Sequence, residues 1–175
     1  MMPDVIPPAP GAEAPDFALK NTSGGTLRLS DYQKNGPALL VFFRGDCPCC
    51  RLALPFVERL YRRHGRGAAR FLGILQAGRQ EAAALAKEMG LMMPFVLEEA
   101  PAWEASAAYG LKELPALVLV DAARKVLAVQ TGFSKRGYQQ MADRLAALSG
   151  KAPEALFDAL ASVPESAAGS PPRSA

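Results

Sequence analysis

The feature that most restricts this chain is a six-residue apolar run, Ala38-Leu39-Leu40-Val41-Phe42-Phe43, followed four residues on by Cys47-Pro48-Cys49-Cys50 and an amphipathic stretch. A run with no polar alternation, entered through Gly36-Pro37, reads as a strand covered on both faces. From Cys50 to His64, Ala53, Phe56, Val57, Leu60 and Tyr61 recur at helical spacing, with Arg51, Glu58, Arg59, Arg62 and Arg63 on the other side. The cysteines therefore stand at a strand-to-helix junction. Pro55 falls inside the helix and is expected to kink it, because its ring removes a backbone donor and crowds the preceding turn.

The elements after this junction keep alternating. The expected order is strand Arg70 to Leu75, helix Gln80 to Met89, strand Phe95 to Leu97, helix Ala102 to Tyr109, strands Ala116 to Val120 and Val126 to Thr131, and helix Lys135 to Leu148. Before it, Phe17 to Lys20 and Thr26 to Leu29 flank Asn21-Thr22-Ser23-Gly24-Gly25 and read as a hairpin capping the sheet. The short link Asp121 to Lys125 makes the last two strands an antiparallel pair at a sheet edge, so the sheet is mixed. This pattern predicts an α/β fold with a mixed central sheet flanked by helices and an N-terminal β-hairpin extension.

With 175 residues, half of them hydrophobic, the chain supports one domain with a real core. We place that domain at 11–150, after a proline-rich irregular arm at 1–10. Residues 151–175 are expected to hold a short helix over Pro153 to Ala161 and a disordered tail, Ser162 to Ala175, poor in large apolar groups. No apolar run approaches the ~20 residues of a membrane span. The start, Met1-Met2-Pro3-Asp4, has no basic n-region and runs into prolines, so the expected compartment is the cytoplasm, or the periplasm if the N-terminus is truncated. A net charge of +3 implies neither a nucleic-acid nor a membrane partner.

The chemistry sits in Phe42-Phe43-Arg44-Gly45-Asp46-Cys47-Pro48-Cys49-Cys50-Arg51. All three cysteines of the chain lie here, too few and too clustered to staple a scaffold. Unpaired N–H groups and the helix dipole favour a thiolate at a helix N-terminus, which makes Cys47 the expected nucleophile. Cys50, one turn later, is placed to form a small-loop disulfide with it or to resolve a mixed disulfide. Pro48 suits an early helical position and restricts the loop. Arg44 and Arg51 support the thiolate if they point towards it, and Asp46 opposes them. Cys49 is open to several readings: a wrong disulfide, a glutathione adduct, or simple packing.

At these residues the chain resembles the thioredoxin-like superfamily, in particular the redoxin group that joins TlpA-type thiol-disulfide oxidoreductases and AhpC/TSA peroxiredoxin-like proteins. The resemblance extends over residues 11 to 149. Gly11-Ala12-Glu13-Ala14-Pro15-Asp16-Phe17 looks like the family's opening, and Leu29-Ser30-Asp31-Tyr32 like the segment before its first central strand. Pro55 sits where such proteins kink the active-site helix, and Tyr109-Gly110-Leu111-Lys112-Glu113-Leu114-Pro115 looks like their cis-proline region. The resemblance implies that Pro115 follows a cis bond facing the cysteines, and that Leu114 offers backbone groups to an extended substrate.

It leaves two reactions open. Disulfide exchange would take a protein or small-molecule disulfide and a thiol reductant system. Peroxide reduction would oxidise Cys50 or Cys47 to a sulfenic acid. The peroxiredoxin pattern before the cysteine is missing, and Pro115 stands where its supporting arginine would be, which favours disulfide exchange. Phe43-Arg44-Gly45 before Cys-Pro-x-Cys resembles a peroxiredoxin-like subgroup in which Cys50 takes the peroxidatic place. Departures from familiar oxidoreductases are Asp46 in place of Trp, Val41 in place of a buried acid, and Ala53 in place of another acid.

A different class, a non-catalytic module binding a partner or Cu(I) through the thiols, is the remaining reading. The sole histidine, His64, lies about four turns along the helix from Cys50, too far to share an ion with it, so no metal site and no cofactor are expected. His64 is read as a surface or helix-end residue, the arginines at 59, 62, 63, 66 and 70 as a solvated face, Met89, Met92 and Met93 as core filling, and Trp103 and Tyr109 as helix packing.

Overall fold

Ala38–Phe43 forms β3, and each of its six residues is fully buried, as its unbroken apolar run requires. The structure, a computed structural model, describes residues 5–67 and 69–174. The first four residues of the expected arm lie outside the described residues. Around β3 the chain lays down β1 (Ala18–Asn21), β2 (Thr26–Arg28), β4 (Arg70–Gln76), β5 (Phe95–Glu98), β6 (Ala116–Val120) and β7 (Val126–Thr131). Among the described residues these form one seven-stranded sheet, ordered β2-β1-β5-β4-β3-β6-β7.

β3, β4 and β5 are mutually parallel, whereas β6 pairs antiparallel with β3 and β7 antiparallel with β6. The sheet is mixed, as the short link after Asp121 predicts. The hairpin β1–β2 extends the far edge by pairing β1 with β5. At the other edge the segment from Gly11 to Ala14 pairs with the start of β7, Gly11 N–H donating to Val126 O at 2.8 Å and Ala14 N–H to Arg124 O at 2.7 Å.

The flanking helices are α1 (Leu29–Tyr32), α2 (Pro48–His64), α3 (Arg79–Met89), α4 (Glu104–Ala108) and α5 (Lys135–Leu148). α2 runs as one α-helix through Pro55. α4 is shorter than its apolar spacing suggests. Trp103 caps it with φ 43°, a left-handed conformation that a helical residue cannot adopt, so the helix starts only at Glu104. α1 has no counterpart in the expected order, since one helical turn carries too little periodicity to show. No helix is long and apolar enough to cross a membrane among the described residues.

The core takes Leu39, Leu40, Phe42, Phe43, Leu72, Tyr109 and Tyr138 to full burial, each worth roughly 1.5–3 kcal/mol for an aliphatic or Phe side chain. Met93 joins it, but Met92 is exposed: Glu58, buried on α2, holds the backbone N–H groups of both at 2.9 Å and leaves the Met92 side chain outside. His64, read as a surface or helix-end residue, is the last residue of α2 and is buried there.

The largest correction concerns residues 151–174. No helix forms over Pro153 to Ala161. The arginines of α2 bind this stretch as an irregular segment, Arg59 donating to Leu156 O at 2.6 Å and Arg63 to Ala155 O at 2.9 Å. Two members of the expected solvated face are therefore structural clamps. Further on, β8 (Phe133–Ser134) pairs antiparallel with β9 (Ser166–Ala167), so the tail expected to be disordered is held on the domain. Backbone pairing has no composition, and the Ser, Pro and Ala content of the tail carries no trace of it.

Candidate functional site

The loop between β3 and α2 delivers the cysteines as the junction predicts. Cys47 is the N-cap of α2 and Pro48 its first residue, a position where proline lacks nothing because that N–H would have no partner. Cys47 Sγ accepts the backbone N–H of Cys50 at 3.1 Å, the capping bond usually made by a Ser or Asp oxygen. All three cysteines are buried and free.

The two ends of the pair are polarised oppositely. Burial pushes the Cys47 thiol up, but hydrogen bonds from Cys50 and Ser170 outweigh it and leave its pKa below that of an ordinary cysteine. For Cys50, burial comes first and the hydrogen bond it makes to Cys47 second, and together they hold it protonated far above the usual thiol range. Burial, then the nearby charges of Cys47 and Glu113, push Cys49 up as well. One thiol is thus primed as a nucleophile and its neighbour kept as an acid that donates to it.

Leu114 and Pro115 stand opposite. The Leu114–Pro115 bond is cis, and Leu114 O lies 3.5 Å from Cys47 Sγ. The two sites implied by the resemblance are therefore brought together. Of the supporting residues, Arg44 stays near but spends its guanidinium on Asp46, at 2.6 and 2.9 Å, and on Pro171 O at 2.6 Å. The Arg44 guanidinium holds the Asp46 carboxyl well below the usual carboxylate range. Arg51 points away from Cys47: it donates to Gly45 O at 2.6 Å and pairs with Glu88 on α3 at 2.6 Å. Its helical position turns it to the α3 side, so it buttresses the loop and gives the thiolate no direct support. Cys49 Sγ donates to Ala167 O at 3.4 Å, a contact with the C-terminal segment and not with its cysteine neighbours.

Several residues at the site had no sequence signal. Ser170 exchanges two backbone hydrogen bonds with Leu114, at 2.7 and 3.0 Å. Glu113 accepts the N–H of Gly169. Gln76, at the end of β4 and fully buried, binds Arg173 through its amide, and Arg173 in turn reaches Asp46 at 3.3 Å and Glu81 at 3.4 Å. Tyr138 of α5 is fully buried with its hydroxyl unpartnered among the described residues; burial, then the three cysteines, push its pKa well up. Only the strand-end position of Gln76, a polar residue closing the apolar run from Phe71 to Leu75, was visible as an anomaly. No group of three or more His, Cys, Asp or Glu side chains is arranged to hold a metal ion among the described residues.

Three kinds of likeness bear on this geometry. The model of the AhpC/TSA family matches residues 10–129. The thiol-disulfide oxidoreductase ResA of Geobacillus thermodenitrificans is 30% identical over 125 residues, which cover 71% of this chain and 70% of that protein. In backbone, the chain is similar to a putative thiol:disulfide interchange protein DsbE from Chlorobium tepidum, with TM-score 0.72 and 22% identity over 82% of this chain and 99% of the other. A hypothetical protein from Sinorhizobium meliloti 1021 gives TM-score 0.73 at 17% identity, covering 95% of both chains. The structural likenesses establish the thioredoxin-like fold.

Proposed function

Since the chain belongs to the AhpC/TSA family and its sequence relatives are thiol-disulfide oxidoreductases, we propose that its own cysteine pair divides that activity, Cys47 attacking and Cys50 resolving. The chain is an oxidoreductase of the dithiol type. The observation that carries the assignment of roles is the polarised pair: Cys47 Sγ capped by the Cys50 N–H at 3.1 Å with its pKa lowered, and Cys50 buried with its pKa raised.

The Cys47 thiolate attacks one sulfur of a substrate disulfide, forming a mixed disulfide and expelling the other sulfur as a thiolate, which takes a proton. Cys50 then loses its proton and attacks Cys47 Sγ, expelling the second substrate sulfur. Two electrons pass from the dithiol to the substrate, which leaves as two thiols, and the protein ends as a Cys47–Cys50 disulfide. The helix N-terminus stabilises the attacking thiolate. Once Cys47 is bound in the mixed disulfide its negative charge is gone, which removes one of the causes holding Cys50 protonated. A separate thiol system must then reduce the pair.

Peroxide reduction at Cys50 is disfavoured by the same observation, because a thiol held protonated is a poor nucleophile. The test compares single substitutions in turnover of a protein disulfide. Cys50→Ser should accumulate a mixed disulfide at Cys47, and Cys47→Ser should lose about a thousandfold or more in rate. Full activity in Cys47→Ser, or fast consumption of hydrogen peroxide through a sulfenic acid, would sink this reading.

A further inference from the structure

The segment 166–173 lies across the cysteine site as an extended peptide, and from Ala167 to Pro171 the hydrogen bonds that hold it go to its backbone. Cys49 Sγ donates to Ala167 O, Glu113 accepts from Gly169 N–H, and Leu114 exchanges both of its backbone bonds with Ser170. Arg44 donates to Pro171 O, and the Gln76 amide both accepts from Arg173 N–H at 2.7 Å and donates to Arg173 O at 3.1 Å. Groups that grip only main chain accept any peptide that can lie flat on them. Gly169 is the one position where the fit is limiting, since a Cβ there would run into the Leu114 carbonyl.

Two observations mark this as a built groove and not a chance contact. Gln76 is fully buried, and its amide also bonds Ser106 Oγ at 3.2 Å, which bonds Glu98 at 2.5 Å. A buried polar chain from Glu98 through Ser106 to Gln76 thus ends in a donor and an acceptor aimed at a peptide backbone, an arrangement that is costly unless something occupies it. Beside it, the one side chain of the segment that is specifically received is Arg173. Its guanidinium lies between Asp46 and Glu81 and 5.9 Å from the centre of the Trp103 ring. Ser170, three residues earlier, is paired through its backbone with Leu114, whose carbonyl lies 3.5 Å from Cys47 Sγ.

From this we infer that the groove receives an extended polypeptide whose disulfide cysteine sits where Ser170 sits and whose third residue onward is basic, seated at Asp46, Glu81 and Trp103. The chain's own segment 166–173 is the stand-in that fills the groove until such a peptide displaces it. Serine has the shape of the cysteine it replaces but no sulfur to exchange, so the stand-in binds without reacting. The inference rests on the oxidoreductase reading of Cys47 and adds to it the substrate class and the means by which the buried nucleophile is covered.

Two substitutions loosen the segment without touching the cysteines: Gly169→Ala, through the clash with Leu114 O, and Arg173→Glu, which sets an acid against Asp46 and Glu81. The reduced proteins are labelled with iodoacetamide and mapped by mass. They are then given two synthetic peptides, Ser-Ala-Ala-Gly-Cys-Pro-Pro-Arg-Ser and the same sequence with Glu for Arg, each carrying thionitrobenzoate in disulfide linkage on the cysteine. Labelling of Cys47 should speed up about tenfold in both variants, and the Arg peptide should exceed the Glu peptide about tenfold in kcat/KM on Gly169→Ala. Unchanged labelling in both variants overturns the stand-in, and equal kcat/KM for the two peptides overturns the basic subsite. Fast labelling with no turnover of either peptide or of a small disulfide overturns the oxidoreductase reading while leaving the occupancy of the groove in place.

Discussion

Leu114 and Ser170 exchange both of their backbone hydrogen bonds, Leu114 N–H to Ser170 O at 2.7 Å and Ser170 N–H to Leu114 O at 3.0 Å, although 56 positions separate their neighbours Glu113 and Gly169 in the chain. A narrow antiparallel pair of this kind fixes where the Ser170 side chain points. Ser170→Cys should therefore place the introduced thiol against Cys47, and mild oxidation should join the C-terminal segment covalently to Cys47. Mass mapping that finds only the Cys47–Cys50 disulfide in that variant would contradict the pairing.

The direction of the Cys47 shift sets a pH dependence. Because the folded pKa is lowered, the thiolate is present at pH values where an ordinary cysteine, with a pKa of about 8.5, is still protonated. In the native protein, alkylation of Cys47 should rise with pH and level off below that ordinary value, while Cys50 stays unlabelled across the same range. Labelling of both cysteines with one common profile would remove the distinction between attacker and resolver.

Asp46 bears on the C-terminal segment in the opposite pH direction. Hydrogen bonding to Arg44 keeps its folded pKa below the unfolded value, so what it contributes through Arg173 is present above the unfolded pKa of about 4 and lost only as pH falls below it. Labelling of Cys47 in the native protein, corrected for thiolate fraction, should show no release of the segment between about pH 5 and 8. A release step centred in that range would point to a different titrating group.

His64 makes folding itself sensitive to mild acid. Burial first, then Lys151 and Arg63, lower its pKa, with Glu154 opposing, and its Nδ1 has no partner among the described residues. Below the ordinary value of about 6.5 the unfolded chain gains a proton that the fold disfavours, so stability decreases as pH falls through and beneath that value. His64→Leu should flatten the dependence of Tm on pH between about 5 and 7. An unchanged slope would place the acid sensitivity elsewhere.

Among the described residues the buried Tyr138 hydroxyl has no hydrogen-bond partner, although its ring packs on Phe133 at 5.2 Å between centroids. Removing an unsatisfied polar atom while keeping the ring costs nothing in bonds, so Tyr138→Phe should leave stability unchanged or raise it by up to about 1 kcal/mol in urea unfolding. A loss of more than that would show that the hydroxyl is bonded in solution.

Some residues are legible in the amino-acid order because their roles depend on near neighbours in the chain. The all-apolar run from Ala38 to Phe43, six residues entered through Gly36-Pro37, reads as a doubly covered strand and forms one, and Cys47 and Cys50, three apart at a helix start, share one turn. Arg44 and Arg51 show where that reasoning stops. Both lie within four residues of Cys47 in sequence, yet their directions were decided by Asp46 and Glu88, and Glu88 lies 37 residues from Arg51.

What the amino-acid order alone determined, then, was the alternation of elements, the strand-to-helix junction and the cysteine pair upon it, since periodicity and capping are local and leave a pattern of residue types. What only the tertiary structure decided was the fate of residues 162–174. Their composition offers too little apolar surface to bury, which is why they read as disordered, but they are held by backbone bonds to Leu114 and by a Gln76 amide 97 residues from Arg173. Such bonds use groups that every residue carries, so no arrangement of side-chain types announces them, and they exist only once the folded sheet has brought β4 and the Leu114 edge to the same groove.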